Sequence, residues 1–175
     1  MLLIAYKNLE QGKLNEAIKF YNNILKIDNT SVEALINRAI AYQKLNQYSK
    51  AESDLQKALK LSNNKTYIFN ILGVLYMQQN LNKKAVKFFK LSNTSEAYVN
   101  IALIKWKEKD PIEVFKNLKY AIMLDPTNAY AYYYLGLFYK SIGEKEKAKK
   151  EFEKAFSLAK EKGNLDLLNK ISKYN

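Results

Sequence analysis

The chain has no cysteine and no histidine among its 175 residues. Without cysteine there can be no disulfide and no thiolate metal site. Without histidine the commonest general base and the commonest metal ligand are both missing. Glycine (5) and proline (2) are scarce, which leaves little material for tight turns and favours long helices. No apolar run approaches the roughly 20 residues needed to span a bilayer. The start, MLLIAYKNLEQ, has no basic leader and no small-residue cleavage site, so a signal peptide is not expected and a cytoplasmic location is. Glycine-rich phosphate loops and nucleophile elbows are also lacking, so no catalytic residue, cofactor or metal ligand is expected.

What is present is lysine, tyrosine and aliphatic residues. Hydrophobic content of 48% with 26% charged residues predicts a folded chain. The formal net charge is +12, yet Arg38 is the only arginine. Readers of nucleic acid usually use arginine for bidentate contacts. The lysines alternate with glutamates, as in KEKAKKEFEK near the C-terminal end, the pattern of a solvated helix face.

A period organises the rest. Ala17, Ala51 and Ala85 lie 34 residues apart; Val114 follows after 29 and Ala148 after another 34. Each precedes a larger apolar residue by four: Tyr21, Leu55, Phe89, Leu118 and Phe152. Upstream runs a second pattern, most complete as Phe69-x-x-Leu72-Gly73-x-x-Tyr76 and Tyr132-x-x-Leu135-Gly136-x-x-Tyr139. Apolar residues at i, i+3, i+4 and i+7 give every unit the helical period. Small residues (Ala39, Gly73, Ala102, Gly136) stand where two helices of a unit have to cross closely. Thr30-Ser31-Val32-Glu33 reads as a capping box. Asp110-Pro111-Ile112-Glu113 reads as an N-cap with proline at the first helical position.

This pattern resembles the tetratricopeptide repeat, a 34-residue helix–turn–helix unit. The resemblance implies an all-α fold, a right-handed superhelical α-solenoid of antiparallel helix pairs. One domain over residues 1–175 is expected. Its repeats fall at about 1–29, 30–63, 64–93, 94–126 and 127–160, with a capping helix at 164–174 that puts Leu165, Leu168 and Ile171 on one side. Repeat three is five residues short, so its second helix should end early and the superhelical twist should break there. Repeat four is the weakest copy, with Lys105 at the motif tyrosine.

The resemblance also implies a function: a non-enzymatic scaffold for protein–protein interaction. In this family the first helices of the repeats line a groove that holds a peptide or helix of a partner. Carried over place by place, the groove comprises Ile36, Asn37, Ile40, Tyr67, Asn70, Val74, Met77, Val99, Asn100, Leu103, Trp106, Tyr130, Tyr133, Tyr134 and Leu137. Aromatic side chains suit a binding hot spot, and asparagine amides can pair with a ligand's main chain. Leu137, Val74 and Ile40 can equally pack between neighbouring repeats. In AYAYYYLGLFY (129–139), Tyr132, Leu135 and Tyr139 are expected to face the paired helix and Tyr130, Tyr133, Tyr134 and Leu137 the groove. The lysine clamp by which one subgroup holds a C-terminal carboxylate is not matched: Asn37 fits, but Leu2, Tyr6, Tyr67 and Ile71 flank it. Self-assembly into a homo-oligomer through the groove or the first repeat is the alternative. RNA binding is a third reading, disfavoured by the nearly uncharged groove.

Overall fold

The computed structural model describes residues 1–174 and contains eleven helices and no strand among them. The chain divides into two compact units, one from Met1 to Ser92 and one from Asn93 onwards. The boundary falls at the end of the shortened third repeat. There the second helix has 11 residues, against 14 in the corresponding helices on either side.

The N-terminal unit holds three helix pairs: α1 (Leu2–Glu10) with α2 (Leu14–Ile27), α3 (Val32–Lys44) with α4 (Tyr48–Leu61), and α5 (Thr66–Gln78) with α6 (Asn82–Ser92). Turns of a few residues join the members of each pair, which makes them antiparallel. Ala5, Leu9, Ala17, Tyr21, Ile24, Ala34 and Ala41 form one core of this unit. In the third pair Gly73 lies against the Phe89 ring, and a Cβ there would overlap that ring. Any larger residue there would force the Phe89 ring to shift.

The C-terminal unit holds α7 (Ser95–Lys107) with α8 (Pro111–Leu124), α9 (Ala129–Ser141) with α10 (Lys145–Glu161), and α11 (Leu165–Ile171). Val99, Ala102, Val114, Leu118, Ala121, Ala131, Leu135 and Phe138 form one core. A second joins α9, α10 and α11. Gly136 repeats the close crossing of Gly73, its Cβ direction 2.7 Å from the Phe152 ring.

The helix starts are set by side chains. Asp110 accepts from the Glu113 N–H at 3.1 Å, with Pro111 in the first turn as expected. Thr94, Asn128 and Asn164 cap α7, α9 and α11 in the same way. The first of these motifs differs from its sequence reading. Ser31, not Thr30, is the N-cap of α3, accepting from the Ala34 N–H. Thr30 instead donates from its backbone and hydroxyl to Asp28 Oδ1, closing the preceding turn, and Thr127 does the same with Asp125.

The C-terminal helix also corrects the sequence reading. Leu167 and Ile171 are wholly buried, Leu168 packs beside them, and Leu165 is 72% exposed. Leu165 is the first helical residue after the Asn164 cap. Leu167 and Ile171, four apart, are the pair on the inward stripe.

Candidate functional site

In the N-terminal unit an open cleft of about 520 Å³ is lined by Tyr6 of α1, Val32, Glu33, Ile36 and Asn37 of α3, and Tyr67 of α5. The first helices of three successive pairs therefore present one surface. Tyr6 is 48% and Tyr67 56% exposed, so both rings are available for contact, with Ile36 and Asn37 half-buried in the same cleft. Glu33 supplies its only charge. A tyrosine–aliphatic–amide lining offers a large apolar area with hydrogen-bonding tips and little rotamer entropy to lose.

Along the same face Ile40, Asn70, Val74 and Met77 are half-buried. Ile40 also packs against the core of the first two pairs. The Asn70 Oδ1 atom is buried without a hydrogen-bond partner among the described residues. One end of the face is fixed by an amide pair, Gln43 Nε2 donating to Gln78 Oε1 at 2.9 Å between α3 and α5.

Of the groove residues expected from sequence, the structure brings Ile36, Asn37 and Tyr67 together in this cleft. Tyr6 and Val32 lie outside that expectation. A signal for Tyr6 exists, because residues 6, 40 and 74 share one place in the 34-residue register.

The expected groove residues of the C-terminal unit are less accessible. Val99 is buried in the core shared by α7, α8 and α9. Asn100 and Leu103 are half-buried. Trp106, also half-buried, sets its ring edge-on to Phe138 at 6.2 Å. Tyr130, Tyr134 and Leu137 pack against the core of α9–α11, and the Tyr130 hydroxyl accepts from Asn164 at 3.4 Å.

Tyr133 departs from the expectation of an exposed groove residue. It is 8% exposed and lies within ring contact of Phe152 and Tyr174. Tyr132 and Tyr139, expected to be the buried pair, are only half-buried, while Leu135 is fully buried. Tyr174, after α11, sets its ring against Tyr133 and stacks on Phe152. Burial pushes the Tyr133 and Tyr134 phenols up from their usual range.

Among the described residues no group of three acidic or soft side chains converges as a metal would require. Among the same residues no helix is long and apolar enough to cross a membrane.

Known proteins share these helix pairs. Tetratricopeptide repeat models match residues 32–65 and 118–150, and a TPR repeat model matches residues 6–46. Two curated proteins are similar. BBSome complex member BBS4 of Bos taurus is 28% identical over 123 residues, 67% of this chain and 23% of that protein. Superkiller protein 3 of Schizosaccharomyces pombe is 27% identical over 173 residues, 90% of this chain and 12% of that protein. The chain thus spans less than a quarter of the length of either.

Solved structures show the same fold. MamA superposes with a TM-score of 0.69 at 23% identity, covering 92% of this chain and 97% of that one. Pseudomonas aeruginosa pilF gives 0.77 at 16% identity, covering 97% and 86%. YrrB, described as a TPR protein with an unusual peptide-binding site, gives 0.59 at 21% identity, covering 98% and 90%. Repeat matches in both units, on helix pairs with the repeat's own crossings, show that the chain belongs to the tetratricopeptide repeat family.

Proposed function

We propose that this protein is an interaction scaffold that holds a peptide or amphipathic helix of a partner protein in the N-terminal cleft between Tyr6 and Tyr67. The observation that carries this reading is the exposure of both rings beside half-buried Ile36 and Asn37. An aliphatic side chain of the ligand packs between the rings, and the Asn37 amide pairs with its backbone. Similarity to a member of the BBSome complex supports a role in assembly rather than in chemistry, and no reaction is assigned to the chain. The test is a pull-down with the intact protein beside a Tyr67→Ala/Ile36→Ala variant. Partners that bind through the cleft are lost from the variant alone; an unchanged set removes the cleft from consideration.

A second reading rests on α1, where Leu3 is 79% and Ile4 51% exposed. These residues suit contact with another copy of the chain. Sedimentation across a concentration series separates the two readings, since a monomer at all concentrations leaves only the first.

A further inference from the structure

We infer that the segment held in the N-terminal cleft presents a lysine or arginine, its stem between Tyr6 and Tyr67 and its charged head at Glu33. This rests on the role proposed above for the cleft and names the chemistry of the ligand.

The charge of the cleft runs against that of the chain. The protein carries +12, yet the one charged group on the lining is the Glu33 carboxylate. Charges in this unit are sorted by helix. The second helix α6 carries Lys83, Lys84, Lys87 and Lys90, all exposed, and no acid. The first helix α5 has no charged residue, and the arginine of α3 is already held by Asp54. Glu33 is exposed and enters no ion pair among the described residues. Glu10, also exposed and without an ion pair among them, stands one turn after Tyr6 on α1. Both carboxylates act on the buried Tyr21 phenol of α2, and with Tyr6 they push it up. The field around the cleft is therefore negative within a basic protein.

The rest of the lining suits a long cationic side chain. Lysine and arginine carry an apolar stem and a charged tip. Val32 and Ile36 give the stem an apolar wall, and the exposed rings of Tyr6 and Tyr67 attract the cation beside the carboxylate. A wholly aliphatic ligand would strip water from Glu33 and return no partner. An acidic ligand would set carboxylate against carboxylate. The lining lies between residues 6 and 67, on α1, α3 and α5, and α3 touches both of the others.

The test uses three extended peptides of about nine residues, a Gly/Ser frame around Leu-Xaa-Leu-Xaa-Leu, with Xaa arginine, glutamine or glutamate. Affinities are read by NMR titration at about 0.15 M salt, where charges more than about 8 Å away are largely screened. The arginine peptide is expected to bind best and the glutamate peptide worst, against the sign of the net charge. Glu33→Gln should weaken the arginine peptide by about fivefold and leave it level with the glutamine peptide. Glu33→Lys should reverse the order of the arginine and glutamate peptides. Tyr67→Ala should weaken all three, which places them in the cleft. A glutamate peptide that binds as well as the arginine peptide overturns the inference, as does a Glu33→Gln variant that keeps the preference. In both cases, weakening by Tyr67→Ala leaves the cleft itself standing as the partner's seat. Binding that Tyr67→Ala does not touch overturns both. Failure of all three peptides to bind overturns the inference and leaves the cleft to its own pull-down.

Discussion

Arg38 and Asp54 form a two-pronged ion pair between α3 and α4, Nε to Oδ2 and Nη2 to Oδ1, both at 2.7 Å. The remaining arm, Nη1, donates to Asn22 Oδ1 of α2 at 2.7 Å. Arg38 occupies the place in the register that Leu72 and Leu135 fill in other repeats. One guanidinium thus ties two helix pairs where an apolar contact serves elsewhere. Removing one partner leaves a charge in a largely closed site. Arg38→Leu should cost about 3 kcal/mol, the low end for a buried pair because both side chains keep some contact with water. Replacing both, Arg38→Leu with Asp54→Leu, should recover most of that loss. Denaturant unfolding of the single and double variants measures it, and a double variant as unstable as the single would refute the account.

Tyr21 is fully buried, and its hydroxyl has no hydrogen-bond partner among the described residues. Phenylalanine fills the same place as Phe89 and Phe152. Tyr21→Phe removes an unsatisfied polar group and should stabilise the protein by about 1 kcal/mol. Burial, with smaller contributions from Glu33, Tyr6 and Glu10, pushes the Tyr21 phenol from 10.0 to about 12. In the unfolded chain the phenol loses its proton near 10, while the fold still holds it. Stability is therefore indifferent to this proton below pH 10 and falls as pH rises from 10 towards 12, where the fold would have to bury a phenolate. Tyr21→Phe should therefore blunt alkaline unfolding over that window. Tyr76, raised to about 12 by burial and by its bond to Glu52, keeps part of the effect.

The turns within the pairs share a left-handed residue at Gly12, Asn46, Asn80, Lys109 and Gly143. These positions repeat the 34, 34, 29 and 34 spacing of the helices. Glycine and asparagine tolerate this conformation, but lysine at φ 59° does not do so freely. Lys109→Gly should raise stability by about 0.5–1 kcal/mol, and Gly143→Lys should lower it by a similar amount. Thermal unfolding of the two variants checks the opposite signs.

Leu167 and Leu165, two residues apart on α11, should behave oppositely. Leu167→Ala opens a cavity under the last helix and should cost about 2–5 kcal/mol. Leu165→Ala, at an exposed site, should stay within about 0.5 kcal/mol of the parent. Truncation after Lys162 removes Leu167 and Ile171 together and should lower the melting temperature clearly, since stability in repeat proteins accumulates from neighbouring interfaces.

The helix pairs, their small crossing residues and the Asp110 cap were legible because each is set within one repeat, by period and local hydrogen bonding. The short α6 followed from the missing five residues. Accessibility of the face was harder to read. Tyr133 and Tyr67 stand at different places of the same helical face, and the repeat pattern assigns both to it. What closes over Tyr133 is Tyr174, forty-one residues on and outside any repeat. The half-burial of Tyr132 and Tyr139 has the same origin, whereas the exchange of Leu165 for Leu167 in α11 is an error of helical phase in a helix of seven residues. A pattern gives a side chain's direction along its own helix, but not what folds over it.

That difference makes a paired prediction on Tyr133 and Tyr67. Tyr133 is enclosed by Phe152, Tyr134 and Tyr174, so Tyr133→Ala leaves a cavity between α9 and α10. It should cost about 3–5 kcal/mol, as truncating a core aromatic does. Tyr133→Phe should keep most of the stability, because the ring and not the hydroxyl fills the space. Tyr67→Ala removes an exposed ring and should change stability by less than about 0.5 kcal/mol. It should nevertheless weaken partner binding by about 1–2 kcal/mol or more, the range of an aromatic hot spot. Urea titration and a binding isotherm on the same three variants decide the matter. A stable Tyr133→Ala would contradict the burial of that ring, and a Tyr67→Ala variant that binds normally would remove the cleft as the partner's seat.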